Sequence, residues 1–127
     1  MANPDIISAS SIYGKTVFDS DIAVAASELL ENAASSNKVL KINSLIIANI
    51  DSAATPQSAN ITVTIRDAAG TTTYSNLAKN IAVPAYATLV VISKDTSIYL
   101  EENTSIWVAA SVAGDLSATC SYEEINT

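Results

Sequence analysis

Hydrophobic positions are most concentrated between residues 38 and 51 (KVLKINSLIIANID), where β-branched side chains dominate and neither Gly nor Pro interrupts the run. This composition favours a strand that is buried on much of both faces over a surface helix. The run ends in residues 51–56 (DSAATP), which are typical of a loop. We therefore expect 38–51 to form a central strand beside which the other strands lie.

Two later segments show the alternation of apolar and polar residues that is typical of a strand with one buried face. They cover residues 60–67 and 116–124. Their apolar members are Ile61, Val63 and Ile65 in the first and Leu116, Ala118, Cys120 and Tyr122 in the second. The phase predicts that Cys120 is a buried, unreactive thiol. Gly70 follows the first segment, and we expect it to supply the positive φ of a hairpin turn.

Less regular patterns predict further strands. The segments rich in β-branched and aromatic residues are 11–18, 86–93, 97–100 and 105–112. Residues 71–76 are polar and predict an edge strand that continues towards Pro84, which excludes this part from a central ladder position. Gly14, inside the first segment, predicts a β-bulge.

Residues 22–31 (IAVAASELLE) fit two structures. Asp21 is a suitable helix N-cap, and Ala, Glu and Leu favour a helix. The period-two spacing of Ile22, Val24 and Ala26 fits a strand instead, although Leu29 breaks the phase. The β character of every neighbouring segment favours the strand.

These patterns predict an all-β fold: a single-domain antiparallel β-sandwich, jelly-roll-like, with about eight or nine strands. The small and polar residues 1–10 predict a short N-terminal arm, and 11–127 the β-sandwich domain. A chain of 127 residues has the size of one domain. Because only 6% of residues are aromatic, we expect a thin core of small and β-branched side chains.

Charge narrows the classes of partner. Thirteen acidic residues against six basic ones give a net charge of −7, and the basic residues are scattered singly. Nucleic acid is not expected as a partner, because phosphate contacts need clustered Lys and Arg. An acidic surface would complement a basic protein surface. The sequence shows no secretion signal and no apolar run of roughly 18 residues, so we expect assembly in a cytoplasm and no membrane partner.

The residue types present offer little catalytic chemistry. The chain has no His and one Cys, so the usual zinc ligand sets and histidine-dependent nucleophiles are unavailable within it. The candidate acid pairs are Asp19 with Asp21, Glu101 with Glu102, and Glu123 with Glu124. We interpret them as solvated acids, with calcium at the first pair as the weaker alternative. The expectation is a protein with no enzymatic activity, no catalytic residue, no cofactor and no metal.

Trp107 lies in the opposite phase to Ile106 and Val108. The favoured interpretation places it in the second face of the sandwich core, because Trp is highly buried on average. Two alternatives are a contact at a protein interface and a sugar-stacking platform with Tyr99 or Tyr122. The threonines at 62, 64 and 71–73 predict either a solvated sheet face or an edge open to strand addition.

Four blocks of sequence carry a family resemblance over about two thirds of the chain. They are residues 41–50 (KINSLIIANI), 83–85 (VPA) leading to 88–91 (TLVV), 98–103 (IYLEEN) and 121–125 (SYEEI). In this order they resemble small virion structural proteins of tailed bacteriophages, especially marine and cyanobacterial phages. Asn103 and Thr104 stand where such proteins often have Gly-Asp, which affects turn chemistry. The resemblance implies a β-sandwich or jelly-roll module that coats or joins parts of a virion.

Three hypotheses follow for the function. The first is a head decoration or cement protein that binds the outside of the major capsid protein shell, stabilises it and forms a trimer or dimer. The second is a neck, tail or baseplate component, including fibre attachment, and the third is a carbohydrate-binding module. The first two place the protein in the virion, the capsid surface being preferred, after assembly in the bacterial host cytoplasm. The interface candidates are Ile6, Ile7, Tyr13, Thr72, Tyr74 and Trp107.

Overall fold

The computed structural model describes residues 4–127, and these contain nine β-strands and two short 3-10 helices. The strands are β1 (Ser11–Asp19), β2 (Ser27–Asn32), β3 (Lys38–Asn49), β4 (Ala59–Asp67), β5 (Thr73–Val83), β6 (Thr88–Ile92), β7 (Ile98–Leu100), β8 (Thr104–Ala110) and β9 (Leu116–Asn126). The 3-10 helices are Ile6–Ser8 and Lys94–Thr96. The all-β prediction is confirmed.

Two antiparallel sheets form the sandwich. Sheet A has the strand order β1-β9-β3-β6, with β7 also pairing β3, and sheet B has the order β2-β8-β4-β5. Contacts between β1 and β2, and between β5 and β6, join the two sheets along opposite sides of the sandwich. The first four strands alternate between the sheets, and the last two strands pair with β4 and β3 in the middle. This is a jelly-roll arrangement, as predicted.

Strand β3 is the central strand of sheet A, since β9 pairs with one of its edges and β6 and β7 with the other. Its register to β9 shifts between Ile42 and Ser44. The extra residue reverses the side-chain phase, which keeps Leu45 and Ile47 on the core face together with Leu40 and Ile42. The outward residues Ile46 and Ala48 are half-buried. The central position predicted for this run is confirmed.

The core lies between the inner faces of the two sheets and consists of aliphatic side chains and Cys120. Ile61 and Val63 of β4 are fully buried, and Thr62 faces outwards on the same strand, as the alternation predicted. Cys120 is also fully buried, and burial raises the pKa of its thiol to about 12. The expected burial of this cysteine is confirmed.

The segment 22–31 is a strand only in its second half. Residues 22–26 form an irregular connection, in which Ile22 is nevertheless fully buried, and β2 begins at Ser27. Leu29 and Leu30 are both buried, because the register with β8 shifts between Glu28 and Leu30. That bulge explains why Leu29 broke the alternation. The strand predicted for residues 22–26 is wrong, and so is the helical alternative.

The predicted bulge at Gly14 is also wrong. Strand β1 pairs with β9 over nine consecutive positions without a shift, and Gly14 lies opposite Glu123 within this regular ladder. A Cβ built at Gly14 meets no atom within 4 Å, so close packing does not require the glycine either.

The expected N-terminal arm covers residues 1–10, of which 1–3 lie outside the described residues. In the remainder, Asp5 caps the short helix Ile6–Ser8 by accepting a hydrogen bond from the Ile7 amide (3.0 Å). The Ser10 amide donates to the Asn126 carbonyl (2.8 Å), which attaches this segment to the end of β9.

Candidate interaction surfaces

Strand β1 forms one edge of sheet A and carries three exposed large apolar side chains. Ile12 and Tyr13 are each 55% exposed, and Phe18 is 71% exposed. Ile12 lies opposite Ile125 and Phe18 opposite Thr119, which places both on the outer face of the sheet. Tyr13 lies on the other face, in phase with Val17, which packs against the core. The edge strand is therefore apolar on both faces.

The other sheet edges carry features that hinder strand addition. Strand β2 has a bulge and the exposed acids Glu28 and Glu31. Strand β5 shows three register shifts against β4, has a left-handed residue at Asn80 and exposes Lys79. Strands β6 and β7 have five and three residues and are interrupted by the helix Lys94–Thr96. Among the described strands, the edge with a long and regular ladder is β1.

An ion cluster lies on the core-facing side of β1. Glu124 is held by Lys15 of β1 (2.9 Å) and by Lys38 of β3 (3.3 Å), and its side chain is only 13% exposed. The hydrogen bond from Lys15 is the main cause that lowers the pKa of the Glu124 carboxyl. Burial opposes this effect, and the hydrogen bond from Lys38 adds to it. The same bond raises the pKa of Lys15. The cluster ties β1 to β9 and β3 at one end of sheet A.

Trp107 lies on the outer face of sheet B, so its predicted place in the core is wrong. Its neighbours on β8, Ile106 and Val108, fill the core, whereas Trp107 is half-buried on the opposite face. The indole Nε1 donates to the hydroxyl of Ser105 (2.8 Å), and the Arg66 guanidinium lies 4.9 Å from the ring centroid. Arg66 thus occupies one face of the ring by a cation–π contact.

The hairpin between β4 and β5 closes around the same indole. A Cβ at Gly70 would collide with Cζ2 of Trp107, so only glycine fits there. Its φ of 77° is the positive value expected for the turn. Arg66 also donates to the Gly70 carbonyl (3.3 Å) and to the hydroxyl of Thr64 (3.1 Å). Trp107 therefore holds this hairpin in place. A sugar could stack only on the part of the indole that Arg66 and Gly70 leave exposed.

The predicted interface residues do not form one surface. Ile6 and Ile7 are exposed on the N-terminal 3-10 helix, and Tyr13 lies on β1. Thr72 is exposed in the hairpin turn, where its amide donates to Asp67 (2.9 Å), and Tyr74 is exposed on β5. Strand β5 lies at the far side of the sandwich from β1. Trp107 lies between these edges on the outer face of sheet B.

Sequence reasoning missed two residues of the β1 edge and the ion cluster. The sequence predicts only a strand at Ile12 and Phe18, although apolar side chains on both faces of a predicted strand are a signal of such an edge. Glu124 and Lys15 are separated by 109 positions, and no local pattern relates them. On the sheet face predicted to be rich in threonine, Thr62 is half-buried. Thr64 is buried beside Arg66 and Trp107.

Metal-ion sites, cavities and membrane-spanning helices are absent from residues 4–127. That part of the chain contains no group of three or more His, Cys, Asp or Glu side chains placed to hold a metal ion, and no enclosed cavity. Asp19 and Asp21 serve local structure, since Asp19 accepts from the Asp21 amide (3.0 Å) and Asp21 from the Gly114 amide (2.8 Å). None of the helices in the described residues has the length and apolar character needed to cross a membrane.

Comparison with known proteins identifies a related fold. No protein-family model and no curated protein matches the chain. A solved structure from Bacillus endospore appendages, described as a family of disulfide-linked pili, is similar with a TM-score of 0.54. The match is 12% identical in sequence and covers 99% of this chain and 94% of that one. At this identity the likeness concerns the fold, a β-sandwich domain of this size and topology.

Proposed function

We propose that this chain is a non-enzymatic structural protein of a tailed-phage particle, most specifically a decoration protein bound outside the major capsid protein shell, which it stabilises. The observation that carries the proposal is the long apolar edge of β1 on a jelly-roll domain, a surface suited to joining other protein chains. The sequence resemblance to virion structural proteins supplies the phage context. The net charge of −7 suits contact with a basic protein surface.

The experiment is to purify the particles that contain the protein and count its copies against the major capsid protein by quantitative mass spectrometry. A ratio near one copy per capsid subunit, or a simple fraction of it, supports decoration, because such sites repeat over the whole shell. A ratio of a few per cent supports a neck, tail or baseplate component instead. Absence from purified particles contradicts a virion role of either kind.

A second candidate is a subunit of a pilus-like appendage, favoured by the fold likeness to the Bacillus pilus structure. That pilus is described as disulfide-linked. In this chain the one cysteine, Cys120, is fully buried in the core, where burial raises the pKa of its thiol to about 12. Covalent linkage through Cys120 would therefore require the sandwich to open.

Thiol labelling distinguishes the two candidates. Under native conditions we expect Cys120 to react with a maleimide only as fast as the protein unfolds, because the thiolate is the reactive form and the thiol is buried. The denatured protein serves as the control and should react at once. Rapid labelling of the native protein, or disulfide-linked multimers on a non-reducing gel, would favour the appendage.

A further inference from the structure

The residue classes along β1 read the same in both directions. From Ser11 to Asp19 the order is polar, two apolar residues, a small residue, a lysine, a small residue, two apolar residues and polar. The centre of this symmetry is Lys15, with Ile12 and Tyr13 on one side and Val17 and Phe18 on the other. A palindromic pattern is what an antiparallel strand needs to pair with its own copy about a two-fold axis.

We propose that the β1 edge binds the β1 edge of a second copy of this chain, antiparallel and centred on Lys15, so that sheet A continues across the dimer. This inference rests on the proposed structural role, since it names the partner of the same edge. Residues that face each other in such a ladder have positions that sum to thirty, as 12 and 18 do, because the axis passes through residue 15.

This register gives each exposed apolar residue of β1 an apolar partner. Ile12 faces Phe18 of the second copy on the outer side of the sheet, and Tyr13 faces Val17 on the inner side; each pair occurs twice by symmetry. Cross-strand pairs of an aromatic with a β-branched residue are among those that stabilise antiparallel sheets. Moving the register by two residues places Tyr13 opposite Lys15 or Asp19 and removes this match.

Backbone geometry and charge allow the same register. In a strand, the backbone N–H and C=O groups of alternate residues point to the same side. Residues that face each other in this register are both even-numbered or both odd-numbered, so the groups that face away from β9 in one copy meet the corresponding groups of the other copy. The unfavourable contact is between the two Lys15 side chains. Each is bound to Glu124 of its own copy at 2.9 Å, which partly neutralises it. The regular ladder from Ser11 to Asp19 is unbroken by a bulge.

Cysteine cross-linking tests the partner and the register together. Residues that face each other in an antiparallel ladder have Cα atoms roughly 4.5–5.5 Å apart, which is within disulfide range. A mixture of Ile12→Cys and Phe18→Cys proteins should form a cross-linked dimer under mild oxidation. Either variant alone should not, because a residue at 12 or at 18 lies six positions, roughly 20 Å, from its own symmetry mate.

Two further variants test the position of the two-fold axis and the specificity of the cross-link. Lys15→Cys should cross-link to itself, since it lies on the axis. Val90→Cys is the control: it is 56% exposed on β6, at the other edge of sheet A, and should not cross-link with Phe18→Cys. All these side chains are substantially exposed, so the variants should fold, and the buried Cys120 does not compete.

The inference is overturned if the mixture cross-links no more than the single variants, or if the Val90→Cys pair cross-links equally well. Failure of the dimer and failure of the proposed function can be told apart. If the protein occurs on purified particles yet fails to cross-link, the structural role stands and the dimer is excluded. If the protein cross-links yet is absent from particles, the dimer stands and the virion role is excluded.

Discussion

Gly70 and Trp107 show how a single residue without a side chain determines the shape of the β4–β5 hairpin. The indole fills the space that a Cβ at Gly70 would occupy, and the backbone there has a φ of 77°. The sequence predicted the turn at Gly70 from its local signal. It placed Trp107 wrongly because size and hydrophobicity favour the core, whereas the partners that hold this indole, Arg66 and Ser105, are recognisable only in three dimensions.

Replacing Gly70 should therefore be more damaging than replacing another turn glycine. We expect Gly70→Ala to lower the free energy of unfolding by about 2–4 kcal/mol, from left-handed backbone strain and from the collision with Trp107. Gly114→Ala is the matched control, since its φ is 87° but its Cβ would meet no atom within 4 Å. Denaturant unfolding measures both variants. Equal losses would show that the contact with Trp107 contributes nothing.

Glu124 provides a prediction of pH dependence. Lys15 and Lys38 lower the pKa of its carboxyl in the folded protein, so the folded state favours the charged form. The stability that results is present above the ordinary pKa of 4.5 and is lost as the pH falls through the lower, folded value. Glu124→Gln should accordingly lose less stability than the wild type between neutral and acid pH.

The control for this measurement is Glu31→Gln, which changes the net charge equally at an exposed position of β2. Thermal unfolding at a series of pH values provides the comparison. If the Glu31 and Glu124 variants show the same pH profile, the ion cluster has no special part in stability.

At the scale of elements, strand positions followed from sequence where the alternation is regular. Strands β3, β4 and β9 begin and end close to the predicted limits, and the core face of β4 is as expected. The sequence predictions are wrong where the hydrogen-bonded ladder departs from what local composition suggests, or where the position of a side chain depends on a residue distant in sequence. The bulge in β2 changed the phase of Leu29, and the ladder stays regular at Gly14. Local composition does not determine either outcome.

The edge position of β1 also escaped prediction, because which strands pair depends on the whole topology. Ile12 and Phe18 belong to a strand with apolar residues on both faces, a pattern equally compatible with burial. The jelly-roll order instead places this strand at the border of sheet A.

A substitution at this edge should change the association state without affecting the fold. We expect Ile12→Lys together with Phe18→Lys to make the protein monomeric, because lysine on an edge strand opposes pairing. Val90→Lys, at a similarly exposed site on β6, should leave association unchanged. Sedimentation at several protein concentrations provides the measurement. Dimers that survive the double substitution, or that are lost with Val90→Lys, would place the contact elsewhere.

At the scale of the whole molecule, the acidic charge should govern binding to a larger particle. With a net charge of −7, attachment to a basic surface should weaken as salt is added, since the screening length falls to roughly 10 Å at 0.1 M. Binding of the purified protein to stripped capsid shells can be followed by co-sedimentation at increasing ionic strength. Attachment that does not change with salt concentration would contradict electrostatic recognition. Apolar contacts would then have to hold the protein on the particle.

If the molecule joins its neighbours through the β1 edge, the amides of this strand that face away from β9 gain hydrogen-bond partners on assembly. Backbone hydrogen exchange, compared between the dilute monomer and the assembled state, tests this contact because exchange reports the hydrogen bonding of each amide. We expect slower exchange on assembly in residues 11–19, at the amides that face away from β9. Protection that appears at β5 or β6 instead, with β1 amides still exchanging freely, would contradict it.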